Sequence, residues 1–328
     1  MYRGGDLVAS AEERGVPVHV IRRRVKHDPV AFARLVRWLR RERPDVVHVH
    51  DVAGVVRGAP GARLAGVRAV VAVRHDERSV GRARDVLLTS AERLVDRAVA
   101  SSEAVRRHIE GSQPNGRHTV IPCGVDLRRF PYRDPPPRRP FRLISIGRLE
   151  AQKGQVFLIE ALPRVLRQWP DTVLTIVGDG PSLAGLRTRT RALGLASSVE
   201  FVPPTLDPYP LLDRADLFCF PSLWEAQGLA MIEAQAVGVP VLASAVGGIV
   251  EHVQDGVNGR LAPAGDARSL GDAIADLLAA HEQRLRLARA ARTTAEALDV
   301  RAIAQRWLDV YAQLTDRFSA PERSEVSR

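Results

Sequence analysis

Two glutamates, Glu225 and Glu233, stand eight positions apart in the otherwise mostly apolar stretch SLWEAQGLAMIEAQAVGVPVLAS, residues 222–244. A helix is expected to start near Gln227 or Gly228, after Pro221 and Ser222 turn the chain. The unpaired amides of a first helical turn attract anions. A carboxylate beside a phosphate would be repelled by it. The pair therefore makes sense as acceptors for hydroxyl groups, such as those of a sugar and a ribose. The alternative is a helix capped by Glu225 with Glu233 on a wet face. Met231, Ile232, Ala234 and Ala236 around Glu233 argue for a largely buried face instead. The cations to match a phosphate lie in SIGRLEAQKGQ, residues 145–155. Arg148 offers a planar fork and Lys153 a compact point charge. Lys153 is one of only two lysines among 48 basic residues, which hints that arginine would not serve there. Taken alone, this loop also reads as a solvated helix start. The turn VGDGP, residues 177–181, adds Gly178 and Gly180, where backbone can approach a flat ligand closely.

Positioning these groups requires strands that end beside one another. Short β-branched runs alternate with longer amphipathic segments along the whole chain. In the first part, strands are expected at 16–21, 45–50, 69–75, 97–102 and 118–126, with helices at 29–42, 54–65 and 84–96. The run FPYRDPPPRRP, residues 130–140, is a linker, because its five prolines sustain neither a helix nor a central strand. The alternation then restarts. Strands are expected at 141–147, 172–178, 199–202, 217–222, 239–244 and 259–263, with helices at 153–168, 181–193, 267–296 and 302–318. The fold class is α/β, with two Rossmann-like, doubly wound parallel-sheet domains facing a cleft. Residues 1–137 form the first domain and 138–300 the second. A helix at 301–318 packs back on the first domain, and 319–328 is a disordered tail. Ligands of such sheets bind at the carboxyl ends of strands, and a cleft between domains is where sites gather.

The 328 residues suffice for two cores, and no run approaches 18 consecutive apolar positions. The N-terminal MYRGGDLVASAEERG has no apolar signal core. Cys123 and Cys219 lie in apolar runs as reduced core residues, so neither a disulfide framework nor a metal cluster is implied, and the compartment is cytosolic. The net charge of +10 is uneven: residues 1–140 hold 28 basic against 16 acidic side chains, and residues 141–328 hold 20 against 22. The basic half suits an anionic membrane surface or a phosphorylated acceptor. No nucleic-acid motif accompanies the charge. A genome biased to arginine is the competing explanation, since 46 of the 48 basic residues are Arg.

The order of motifs carries a resemblance. E-x7-E followed by AQAVGVPVLASAVGGIVEHVQDGVNGRLAPAGD resembles the donor half of retaining GT-B glycosyltransferases of family 4. IGRLEAQKG is similar to that family's diphosphate loop, VIPCGVD to its IPNGVD turn, DVVHVHD to one of its first-domain strands, and AVVAVRHD to the strand ending in its active-site histidine. The likeness spans about residues 7–315. It implies a nucleotide-diphosphate sugar as donor substrate, retention of anomeric configuration, no metal and no cofactor. Arg148 and Lys153 would neutralise the leaving diphosphate. Glu233 would bind the ribose and Glu225 the transferred sugar, helped by the amides of Gln227, Gly228 and Leu229. Gly147, Gly178 and Gly180 would line the donor site, and His75 would stand across the cleft near the sugar or acceptor. The chain departs from the pattern at Ala226-Gln227, where Gly-Phe is common, at Cys123 for Asn, and at Pro203 for Gly. The family's first strand, Gly-rich loop, first helix and second strand, about 40 residues, have no counterpart ahead of GGD, so the first domain is expected to be incomplete. The expected protein is a cytosolic transferase docked by its basic half on the inner membrane face, its acceptor a lipid-linked, glycan or small-molecule hydroxyl. A phosphorylase or an epimerase fits less well, because no lysine is placed for a pyridoxal phosphate and E-x7-E argues against both. A non-catalytic scaffold that binds nucleotide sugar is the alternative.

Overall fold

The computed structural model describes residues 6–25, 28–75, 88, 90–110, 118–135 and 139–319. The chain divides into two compact units, Met1–Arg74 with Arg78–Val99 and Asp309–Arg328, and His75–Glu77 with Ala100–Leu308.

In the first unit, the helix Pro29–Glu42 begins where the sequence expects it. Asp28 accepts from the amides of Val30 and Ala31 at 3.0 and 3.1 Å, and Pro29 has no amide to satisfy. Its apolar face, with Leu35, Trp38 and Leu39, packs on Ala59, Ala62 and Val70. Strands β1 (Val46–His50) and β2 (Ala69–Arg74) pair in parallel, Val46 opposite Ala69 and His50 opposite Val73. The helix Asp51–Ala65 connects them and ends at Gly66, whose φ is 83°. Strand β3 (Arg97–Ala100) follows, its last residue, Ala100, belonging to the second unit. The strand expected at 16–21 is irregular instead, with Val16 and Val20 more than half exposed. Among the described residues no strand pairs with it, and a lone extended segment has no ladder to hold it. Of the helix expected at 84–96, residues 84–87 and 89 lie outside the described residues, as does the tail from residue 320; 88 and 90–92 are helical, and 93–96 turn toward β3 instead of continuing the helix.

The second unit includes strand β4 (His118–Val120), shorter than expected. The following residues pair with main chain elsewhere: Val125 donates to Leu298 O and accepts from Val300 N, both at 2.9 Å. The large sheet of this unit contains β5 (Arg142–Ile146), β6 (Val173–Val177), β7 (Val199–Val202), β8 (Leu217–Phe220), β9 (Val241–Ser244) and β10 (Arg260–Ala262), in the order β10-β9-β8-β5-β6-β7. Every recorded pairing is parallel. The chain winds one way from β5 to β7 and the other way from β8 to β10. The winding therefore reverses between β5 and β8, where open parallel sheets bind ligands. Helices Gln155–Leu166 and Ala267–Ala279 contribute Leu158, Leu162, Ile274 and Leu277 to one core with Leu143, Leu174 and Leu217. The single helix expected at 267–296 is two, Ala267–Ala279 and His281–Glu296. The buried Arg284 donates to Leu277 O and Leu278 O at 2.6 and 2.7 Å, satisfying carbonyls that the break exposes.

Candidate functional site

The loops leaving β5 and β8 carry the site. After β5, Gly147 N bonds Val177 O at 3.0 Å, and Leu149 N bonds Asp179 O at 2.8 Å. This zips the loop 147–154 to the one following β6. Gly178 and Gly180 serve that closure, since a Cβ on Gly178 would lie 2.0 Å from Gly147 O and one on Gly180 2.5 Å from Leu149 O. On its other side the loop is stitched to the segment after β8. Leu223 N donates to Gln152 O at 2.8 Å, and Gln152 Nε2 donates to Trp224 O at 3.1 Å.

This stitching brings Lys153 to Glu225. The ammonium and the carboxylate form an ion pair with both side chains nearly nine-tenths covered. Ser222 Oγ donates to Glu225 Oε2 at 3.4 Å, and Lys153 Nζ lies 5.4 Å from the Phe220 ring centroid. Arg148 is different. It is largely exposed, pairs with Glu150 at 3.0 Å, and is anchored through its carbonyl by Gln155 Nε2 at 3.1 Å.

Glu225 does not cap the next helix. The cap of Leu229–Val237 is Gly228 at φ 87°, with no side chain bonded to the first-turn amides and no acidic residue in that turn. A Cβ on Gly228 would meet the Phe220 ring at 2.9 Å, so glycine is required by space and by backbone conformation. Leu229 is partly exposed at the helix start. Glu233 lies one turn further and is half-buried. Burial raises its carboxyl pKa to about 7, against a lowering influence of Arg129.

Gln227 is buried, and its side-chain amide faces Cys123. Cys123 N donates to Gln227 Oε1 at 2.7 Å, and Gln227 Nε2 donates to Cys123 O at 3.0 Å. Cys123 Sγ lies 3.8 Å from His75 Nδ1. Burial raises the Cys123 thiol pKa, so the sulfur stays protonated near neutral pH.

Sequence reasoning missed the floor of the site. Gly248 N donates to Glu225 O at 2.9 Å, and a Cβ on Gly248 would fall 1.8 Å from Ala226 O. The glycine pair following β9 was the available signal. Among the described residues, no group of three or more His, Cys, Asp and Glu is arranged to hold a metal ion.

The architecture matches solved GT-B structures. HepE of Anabaena in complex with UDP and glucose superposes with a TM-score of 0.85 at 23% identity, over 94% of this chain and 89% of that one. A glycosyltransferase from Rickettsia africae gives 0.79 at 19% identity, over 95% and 88%. The family model described as "Glycosyl transferases group 1" matches residues 132–294, and that of "Glycosyltransferase Family 4" matches residues 3–129. Among relatives, the GDP-mannose-dependent alpha-(1-6)-phosphatidylinositol monomannoside mannosyltransferase of Mycolicibacterium smegmatis is 31% identical over 77% of this chain and 72% of its own length. Glycogen synthase of Mycobacterium tuberculosis H37Rv is also 31% identical, over 76% of this chain. The match spans 64% of that synthase, just under two thirds of its length. The chain belongs to the family 4 glycosyltransferases and has the GT-B fold.

Proposed function

We propose that the protein transfers a sugar, with retention of anomeric configuration and without a metal, from a nucleotide-diphosphate sugar to an acceptor hydroxyl. The observation that carries the reading is the meeting of Lys153 and Glu225 beside the uncapped helix start at Gly228, with Glu233 one turn on. Lys153 and the helix amides take the diphosphate, whose growing charge is what most needs stabilising as the glycosidic bond breaks. Arg148 adds a second cation from the exposed rim. Once the donor diphosphate draws Lys153 away, Glu225 is left to accept hydroxyls of the sugar. Glu233 accepts from the ribose. The leaving phosphate takes the acceptor proton, so no separate base is assigned. His75 stands near the sugar or acceptor.

On the first unit, a recess of about 420 Å³ is lined by Arg22, Arg34, Arg37 and Arg41 around a stacked His19–Trp38 pair. Val20, Val25 and Val30 nearby in sequence are more than half exposed. Basic and aliphatic groups together suit an anionic membrane face, and we assign this surface to peripheral docking in the cytoplasm. Among the described residues no helix is long and apolar enough to cross a membrane.

The test is a panel of UDP-, GDP- and ADP-sugars with lipid-linked, glycan and small-molecule acceptors, the product anomer being read by NMR. A product with the donor's anomeric configuration is expected. An inverted product removes the retaining mechanism. Binding of a donor with no transfer to any acceptor favours the scaffold.

A further inference from the structure

Gln227 sits between the two carboxylates of the site, yet its side chain turns away to a different segment. Both ends of its amide are spent on one residue's main chain, accepting from Cys123 N at 2.7 Å and donating to Cys123 O at 3.0 Å. A side-chain amide carries a donor and an acceptor side by side, whereas an ionised glutamate would face the Cys123 carbonyl with an oxygen. Neither partner is free to drift. The main chain around Gln227 is pinned by Gly248, whose amide holds Glu225 O at 2.9 Å, and any Cβ there would fall 3.2 Å from Gln227 Cα. The segment holding Cys123 is braced on its other side. Val125 exchanges two main-chain bonds with Leu298 and Val300, and Gly124 lies so close that a Cβ would meet Val300 Cα at 2.7 Å. At the end of this chain of contacts, Cys123 Sγ is 3.8 Å from His75 Nδ1. A protonated thiol is a donor, and it suits Nδ1 as an acceptor, the tautomer with its proton on Nε2.

We infer that Gln227 is a positioning residue, whose amide fixes the Cys123 main chain, and through it His75, relative to the donor-binding loop. The inference rests on the proposed transferase reading for its kinetic consequence and on geometry alone for the clamp. Gln227 itself touches no substrate through its side chain. It sets where the imidazole stands when a sugar occupies the loop that Gln227 belongs to.

The test uses the full chain and two readouts. In the first, Gln227→Leu and Gln227→Glu lower kcat about 10- to 100-fold, with the Kd of the free nucleoside diphosphate changed by less than about 3-fold. Because the effect runs through His75, the double variant Gln227→Leu/His75→Ala is no slower than His75→Ala alone. Multiplying losses in the double variant, or a fall in thermal midpoint with kcat intact at low temperature, overturn the inference. In the second, alkylation of Cys123 by iodoacetamide is followed by mass spectrometry, with the fully buried Cys219 as internal control. Gln227→Leu should speed alkylation of Cys123 by roughly 10-fold as the clamp opens. An unchanged rate overturns it. Should the wild-type chain transfer no sugar from any donor, the transferase reading fails and the alkylation rate alone decides the clamp.

Discussion

At the scale of single residues, the ion pair of Lys153 with Glu225 sets the first expectation. Removing one partner of a largely buried pair strands the other charge, at a cost of about 3–5 kcal/mol. Lys153→Met should therefore lower the thermal midpoint more than Lys153→Met/Glu225→Gln does. Both should lose turnover, the single variant by on the order of 10²–10³. Near-normal turnover in Lys153→Met would remove the loop from the diphosphate role. The two glutamates should fail differently. Glu233→Ala weakens the free nucleoside diphosphate roughly 10- to 150-fold, while Glu225→Ala leaves it nearly intact and lowers transfer. Calorimetry with the diphosphate separates them, and the reverse result exchanges their roles. Glu233 also predicts a pH dependence. Its folded pKa of about 7 exceeds its ordinary value of 4.5, so between those values the folded chain holds more protons than the unfolded. Stability therefore falls as pH rises across that window, and Glu233→Gln should be the more stable protein at pH 8 by about 1–3 kcal/mol. Nucleotide affinity should move the other way, improving as pH rises through 7 and the carboxylate forms, with Glu233→Gln flat.

At the scale of elements, the site hangs on two loops whose shape is set by what lies under them. Gly248→Ala would drive a methyl into Ala226 O, and relief requires moving the segment that carries Glu225 and Gln227. Turnover should drop at least 10-fold while the sheet, read by far-ultraviolet circular dichroism, stays intact; full activity would mean the segment has room to give. This buttress was invisible in the sequence, because two glycines after a strand signal a turn but not which carbonyl lies above them. The strands and helices themselves were legible. Buried parallel strands are continuous apolar runs, and β5, β6, β8 and β9 lie within the expected segments. Two misjudged elements share a cause. The run 16–21 alternates like a strand but finds no ladder among the described residues, and 267–296 is periodic like one helix but is cut where Arg284 meets the carbonyls of Leu277 and Leu278. Periodicity reports which face is apolar. It is silent about whether a neighbour arrives. The approach of Glu225 to Lys153 and the turning of Gln227 to Cys123 are long-range outcomes of the same kind, separated by 72 and 104 positions in the chain.

At the scale of the whole molecule, charge is the feature that folding leaves uneven. The basic surplus of residues 1–140 gathers in part around the recess of the first unit, where Arg22, Arg34 and Arg37 stand beside the stacked His19 and Trp38. Arg41 shares its charge with Glu42 at 2.6 Å, so the test is made on the other three. Each basic side chain near an anionic leaflet is worth about 1 kcal/mol, and three together about 100-fold in partition. Exposed valines add an apolar increment that salt does not screen. Sedimentation with phosphatidylserine-containing vesicles should therefore pull the protein down at low salt and release most of it by about 0.5 M, where the screening length is a few ångströms. Arg22→Gln/Arg34→Gln/Arg37→Gln should lose roughly 100-fold in partition while keeping transfer to a soluble acceptor. A bias of the genome toward arginine makes the opposite forecast. The charge would then be incidental, neutral phosphatidylcholine vesicles would bind as well as anionic ones, and the triple variant would partition like the parent. That outcome would return the basic half to composition and leave the donor site untouched, because its ion pair and helix start lie wholly within the second unit.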